Sequence, residues 1–289
     1  MSLLQVIVLA IVQGLAELLP VSSSAHVIVA EKLMGLDPSS PPMTLLLVML
    51  HTGTMFAVIV YFWRQWRSAY FRSMAAFKGV AVNIALATAL TGAIGEAIVK
   101  VMERIALSDV TGAQIEDLFS HLELIGPALA LAGGLILIAG VVTRRNAAGP
   151  TTEPSEVSTR QACLIGTVQA ICLPFRGFSR SGATISAAML AGVPKCRGEA
   201  FSFALAVVLT PAVVAREAIR LVHVQSTSGA RNLLSAATPS LLGAVIAFLA
   251  GLVALKWLSK WLEGGRWYLF GVYCVIAAGV VAVLHRSGY

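Results

Sequence analysis

The sequence predicts an all-α polytopic membrane protein: six transmembrane helices plus two re-entrant helical hairpins, arranged as an inverted-topology repeat. Three observations predict it. Of 289 residues, 57% are hydrophobic and only 12% charged, with a mean hydropathy of +0.83. A soluble domain would carry about 25% charged residues. Long apolar runs recur, near the roughly 20 residues that one crossing needs. Two of these runs are broken by polar residues at what would be membrane depth, and the second half of the chain echoes the first.

The first apolar segment, 3–34, is interrupted by Pro20 and by Ser22-Ser23-Ser24. Neither half is long enough to cross alone. Interrupted helices persist at membrane depth only where protein or a water-filled cavity surrounds the break. A re-entrant hairpin satisfies both conditions. Uninterrupted spans follow at 43–62, 79–99 and 122–142. Segment 161–194 is broken by Pro174, Arg176 and Gly177 and forms the second hairpin. Spans at 200–222, 237–257 and 267–284 complete the chain. Trp63, Trp66, Trp257, Trp261 and Trp267 flank span ends, where an aromatic belt is expected.

The halves repeat. Gln5 to Gln13 aligns with Gln161 to Gln169 at a constant offset of 156. After the breaks, Ser22-Ser23-Ser24-Ala25 corresponds to Ser179-Arg180-Ser181-Gly182. The chain is expected to be one integral membrane domain, 1–289, with repeats at 1–142 and 160–289. Three spans per repeat is an odd number, so the second repeat enters the membrane inverted. Such repeats place their binding site near the midplane, at the repeat interface. The two polar breaks should therefore meet.

Charge supports this layout and excludes other classes. Counting loops as cytoplasmic from the one after the first span gives twelve basic residues inside and seven outside. That bias follows the positive-inside rule and places both termini outside. The net charge of +7 is spread over these short loops, which argues against a nucleic-acid partner. Cys163, Cys172, Cys196 and Cys274 form no CxxC pair, so neither a disulfide framework nor a zinc site is implied. The N-terminus lacks a basic region, and Glu17 interrupts its apolar run, so it is not expected to be a cleavable signal.

The polar breaks carry the chemistry. An ionisable group in hydrocarbon costs about 2.5 kcal/mol or more, so its presence points to function. Gln13 and Glu17 are spaced i, i+4 on one helical face. Pro20 ends that helix. Ser22, Ser23 or Ser24 can cap the next, because a hydroxyl accepts from first-turn amides. A helix N-terminus is also a phosphate site. Ser23 and His26 are spaced i, i+3 and share a face. In the second break, Gly177 loosens the turn, and Ser179 to Thr184 begin a helix. Arg180 supplies a planar, fixed charge suited to phosphate oxygens.

Other polar residues point less clearly to a role. His51 lies mid-span and is either structural or cavity-lining. Phe201-Ser202-Phe203 follows the second hairpin and could pack beside the site. Glu96 reads as interfacial, and Arg216, Glu217 and Arg220 as an interfacial charge cluster. His121, His223 and His285 receive no role.

At these residues the chain resembles the undecaprenyl-diphosphatase family of bacitracin-resistance membrane phosphatases. That family carries a Glu/Gln-x-x-x-Glu motif followed by Pro-Val-Ser-Ser-Ser-x-His, matched here by Gln13 to Glu17 and Pro20 to His26. Its second signature, Pro-Gly-x-Ser-Arg-Ser-x-x-Thr, is matched by Gly177 to Thr184. The likeness covers most of the chain. It departs at Arg176, where the family usually has proline. The stretch from Gln169 to Ser179 also looks about one residue longer than usual.

The resemblance implies hydrolysis of undecaprenyl diphosphate to undecaprenyl phosphate, which recycles a lipid carrier for peptidoglycan synthesis. It further implies a bacterial cytoplasmic (inner) membrane location, a site facing the periplasm, and a divalent cation, Mg2+ or Ca2+. On this view Arg180, Ser179, Ser181, Thr184 and helix-end amides cradle the diphosphate, helped by Ser22, Ser24, Gly177 and Arg176. Glu17 and Gln13 hold the cation. Ser23 or water attacks, and His26 serves as general base or acid. The partners expected are the lipid-linked diphosphate and the membrane, with a homo-oligomer possible. The rival function is a polyprenyl-phosphate flippase or ion-coupled transporter, because inverted repeats with broken helices are also transporter architecture.

Overall fold

The computed structural model describes residues 1–37, 40–106, 122–146, 156–226 and 231–287. Among these the protein is all-helical, with ten helices and no strand. In chain order they are α1 (Leu3–Leu18), α2 (Ser23–Leu33), α3 (Pro41–Ala69), α4 (Met74–Ala106) and α5 (Leu122–Asn146), then α6 (Thr159–Cys172), α7 (Arg180–Leu190), α8 (Lys195–Ser226), α9 (Arg231–Glu263) and α10 (Tyr268–Arg286). Two short helices followed by three long ones occur twice.

Among the described residues, five helices are long and apolar enough to cross a membrane: the spans are Pro42–Ala69, Met74–Met102, Leu124–Arg144, Ala237–Glu263 and Tyr268–Arg286. Each coincides with an expected span, and most run past its apolar core into interfacial residues. The expected span 200–222 falls within α8, one continuous helix that contains Pro211. His121 lies outside the described residues, as do the side chains of Arg216, Glu217, Arg220 and His223.

The interrupted segments are broken as expected. At about 1.5 Å per residue, the 16 residues of α1 and the 11 of α2 each fall short of a hydrocarbon core about 30 Å thick. Both hairpins begin alike. Ser2 caps α1, and Gln5 closes the reciprocal capping box. Ser158 and Gln161 repeat the box at the start of α6. Gln5 Nε2 then donates to the Met34 carbonyl, at 3.5 Å, and Gln161 Nε2 to that of Ala191, at 3.0 Å. Each glutamine ties the start of its hairpin to its end.

Close helix packing fixes where the hairpins lie. Helix α1 packs on α9, and α6 packs on α4. Gly14 is the contact residue of the first pair: a Cβ there would fall 2.7 Å from the Ala247 carbonyl oxygen. Gly166 plays that part in the second, 2.5 Å from the Ala87 oxygen. Small residues let helix backbones approach in lipid, where dispersion and hydrogen bonds must hold helices together. Large apolar side chains such as Leu131, Ile138, Val253 and Ile276 remain exposed on the outer surface, as expected for a lipid-facing one.

Not every tryptophan joins an aromatic belt. Trp63 and Trp257 are exposed, but Trp66 and Trp267 are buried. Trp66 donates to the Ala200 carbonyl and Trp267 to Ser186 Oγ. A buried indole needs such a partner. These two rings fasten α3 to α8 and the start of α10 to α7.

Candidate active site

The tips of the two hairpins meet. Gly177 N donates to Ser24 Oγ at 3.3 Å, and Ser181 Oγ donates to the Leu19 carbonyl at 3.3 Å. Gly177 has φ +100, and a Cβ there would lie 2.6 Å from the Ile125 oxygen. Backbone conformation and space both require glycine at this turn.

Glu17 is the hub. Its Oε1 accepts from Arg180 Nη2 at 2.9 Å. Its Oε2 accepts from Ser23 Oγ at 2.5 Å and from Gln13 Nε2 at 3.3 Å. The same Gln13 nitrogen lies 3.0 Å from His51 Nδ1, which is 3.9 Å from Glu17 Oε2. The Glu17 and Arg180 side chains are only 15% and 21% exposed, so the pair is weakly screened. A crevice between α3 and α8 opens onto Glu17 and Arg180, walled by Met55, Val58 and Val207. Its volume, about 10 Å³, matches roughly one water.

His26 sits beside this hub. Its Nδ1 lies 2.7 Å from the Ser22 carbonyl oxygen, so Nδ1 is the protonated nitrogen. Its Nε2 accepts from the Tyr273 hydroxyl at 2.6 Å, and the two rings stack with centroids 5.7 Å apart. His26 and Ser23 share a face but bond to different partners. The serine proton points at Glu17.

Ser22 departs from the expected cap. It is the N-cap of α2, yet it makes no side-chain cap bond. Its hydroxyl lies 3.3 Å from Ser24 Oγ instead. Ser22 is also the one non-glycine residue with positive φ, +66, among the described residues. Such a conformation costs about 1–3 kcal/mol and persists where surrounding structure enforces it. Here it directs the Ser22 carbonyl at His26 and leaves the first turn of α2 without a side-chain acceptor from its N-cap.

The remaining site candidates lie behind Arg180. Ser179 caps α7 by accepting from Gly182 N at 3.2 Å. The Thr184 hydroxyl bonds the Arg180 carbonyl at 2.8 Å and Ser202 Oγ at 2.5 Å. Ser179, Ser181 and Thr184 are all buried. Their hydroxyls fix the turn that presents the guanidinium. Ser202, noted for its place after the second hairpin, belongs to this support. Arg176 is exposed. Glu31 is 3% exposed, and its Oε1 has no hydrogen-bond partner.

Sequence reasoning left His51 open and missed Tyr273. A histidine in mid-span is itself a signal. Nothing near Tyr273 marks it, because its partner is 247 residues away.

A larger cavity, of about 570 Å³, is lined by Gly140, Val141, Arg144 and Tyr268, and offers no carboxylate, imidazole or serine. The hairpin tips therefore hold the reactive groups. Across residues 6–281 the chain matches the family model for bacitracin resistance protein BacA. The chain belongs to the BacA family. It is 54% identical to undecaprenyl-diphosphatase 2 of Acinetobacter baylyi over 98% of both chains. It is 33% identical to an undecaprenyl-diphosphatase of Desulfosudis oleivorans over 97% of both. It is 32% identical to undecaprenyl-diphosphatase 2 of Burkholderia ambifaria over 96% of this chain and 95% of that one. In this BacA-family chain Glu17 and Ser23 of the first hairpin cluster with Arg180 of the second.

Proposed function

We propose that this chain is a membrane phosphatase that hydrolyses undecaprenyl diphosphate to undecaprenyl phosphate and inorganic phosphate, returning the carrier lipid to peptidoglycan synthesis and conferring bacitracin resistance. One observation carries the chemistry: Glu17 touches both Ser23 of its own hairpin and Arg180 of the second. A carboxylate, a hydroxyl and a guanidinium within one crevice can activate an oxygen and neutralise phosphate. Phosphoryl transfer depends mainly on such positioning and charge stabilisation.

The terminal phosphate lies between Arg180 and the first turn of α2, whose amides and helix dipole favour an anion. As it enters, Arg180 moves from Glu17 to the phosphate oxygens, and Ser179, Ser181 and Thr184 hold the turn beneath it. Glu17, freed of that charge, takes the proton of the attacking oxygen, from Ser23 or from water held at Ser23. That oxygen bonds the terminal phosphorus as the anhydride P–O bond breaks and undecaprenyl phosphate leaves. Where Ser23 attacks, water then cleaves the phosphoserine to release inorganic phosphate. His26 faces the same phosphate through Nε2 and acts as acid or base. Arg176 and Gly177 form the rim.

A hard divalent cation fits this donor set. Glu17 and Gln13 offer oxygen ligands and are held side by side by the Gln13 Nε2 to Glu17 Oε2 bond at 3.3 Å. That suits Mg2+ or Ca2+ shared with substrate phosphates, because Mg2+ commonly binds through one or two carboxylates plus the substrate. When bound, it would neutralise charge on the phosphates.

The inverted-topology repeat is supported by the paired capping boxes and by α1 on α9 matching α6 on α4. Six crossings and two re-entrant hairpins accord with that repeat and with the charge bias, and a site facing the periplasm from the inner membrane is what the family resemblance implies.

The test is phosphate release from a C55 lipid diphosphate by purified protein in detergent, where no membrane separates two sides. Release requires an enzyme. No release, with lipid phosphate moved across vesicles, supports a flippase or transporter instead.

A further inference from the structure

His26 is clamped from two sides. The Ser22 carbonyl, held at a strained φ of +66, takes the Nδ1 proton at 2.7 Å. That leaves a lone pair on Nε2 alone, and the Tyr273 hydroxyl donates to it at 2.6 Å. The phenol ring also stacks on the imidazole, 13° from parallel. Tyr273 stands on α10, so the last helix reaches the first hairpin at its imidazole. Cys274, the next residue, is buried, and its thiol lies 3.3 Å from the Pro20 carbonyl beside the α1–α2 break. The helix is thus fixed where the tyrosine leaves it.

We infer that Tyr273 is a positioning residue for the reaction. With Ser22 it holds His26 as the Nδ1–H tautomer, its Nε2 lone pair turned to the phenol hydroxyl, until the reacting group replaces that hydroxyl. This rests on the phosphatase reading above. Without the phenol the imidazole keeps one anchor and can rotate about its side-chain bonds. A misplacement of about 1 Å can cost roughly 100-fold in rate.

The test uses full-length protein in detergent with a C55 lipid diphosphate. Tyr273→Phe keeps the ring stack and removes the hydroxyl. It is expected to lower kcat about 10- to 100-fold, with KM and thermal midpoint little changed. His26→Ala and the double variant His26→Ala/Tyr273→Phe should turn over at the same rate, because the hydroxyl acts only through the imidazole. Nitrogen NMR of 15N-histidine-labelled protein, with the His26 signal assigned by its loss in His26→Ala, should show the Nδ1–H tautomer. In Tyr273→Phe that signal should move towards a tautomer mixture. Wild-type kcat in Tyr273→Phe, or losses that multiply in the double variant, overturns the assignment. A wild-type protein that releases no phosphate sinks the phosphatase reading instead, and the NMR measurement then still decides the clamp.

Discussion

Arg180 donates to Glu17 at 2.9 Å although 163 positions separate them. The contact joins the two hairpins at their tips and sets opposite charges where a phosphate ester would lie. Arg180→Ala removes the cation and leaves Glu17 with Gln13 and Ser23. Phosphate release should fall at least about 100-fold, the scale of losing one charge-stabilising donor. Arg180→Lys should recover little, because an ammonium lacks the planar fork. Near-normal kcat in folded Arg180→Ala would end the assignment.

The two neighbouring serines should separate cleanly. Ser23 donates to Glu17, whereas Ser24 accepts from Gly177 N. Ser23→Ala is expected to cost about 100-fold or more in kcat by removing an activated oxygen or the group that holds it. Ser24→Ala should cost only a few fold and lower the thermal midpoint slightly, by loosening the hairpin contact. Equal losses in both would show that Ser23 has no special part.

Chelation should stop turnover, and Mg2+ or Ca2+ should restore it. Glu17→Gln weakens the one anionic oxygen ligand, so it should raise the cation concentration for half-maximal activity as well as lower kcat. Gln13→Ala should act in the same direction more weakly. A cation titration of phosphate release checks both. Activity indifferent to chelator would remove the cation from the account.

Ser22 tests whether strain at the site is used. Ser22→Gly adopts φ +66 without Cβ strain, which would otherwise cost about 1–3 kcal/mol. Its stability in detergent should stay level or rise, while kcat falls, because the carbonyl beneath His26 is less firmly held. A Ser22→Gly variant both less stable and fully active contradicts this.

The close packing of each first hairpin helix is sensitive to volume. A Cβ at Gly166 would meet the Ala87 backbone, which cannot move aside as a side-chain end can. Gly166→Val should therefore destabilise by about 1–3 kcal/mol, in the range of overpacked cores. A Cβ at Gly79 would project into open space, with no atom within 4 Å, so Gly79→Val serves as the control with an unchanged midpoint.

The helical membrane class, five of the spans, both interruptions and the polar side chains gathered at them were legible in the sequence. They depend on local quantities: apolar run length, proline and serine breaks, and i, i+3 or i, i+4 spacing. The Gln5 and Gln161 capping boxes show that even hairpin starts were written locally. Pairing was not. Sequence placed Ser23 and His26 on one face, but only packing gave Ser23 to Glu17 and His26 to Tyr273.

The chain by itself determined which groups are too polar for lipid and must be sheltered together, because desolvation is a property of each residue. Tertiary structure alone decided who shelters whom. It gave Ser181 to the Leu19 carbonyl and Thr184 to Ser202, and bent Ser22 into a positive φ. It also brought Tyr273 to His26. Those outcomes follow from how closely helices distant in sequence approach, which no local pattern encodes.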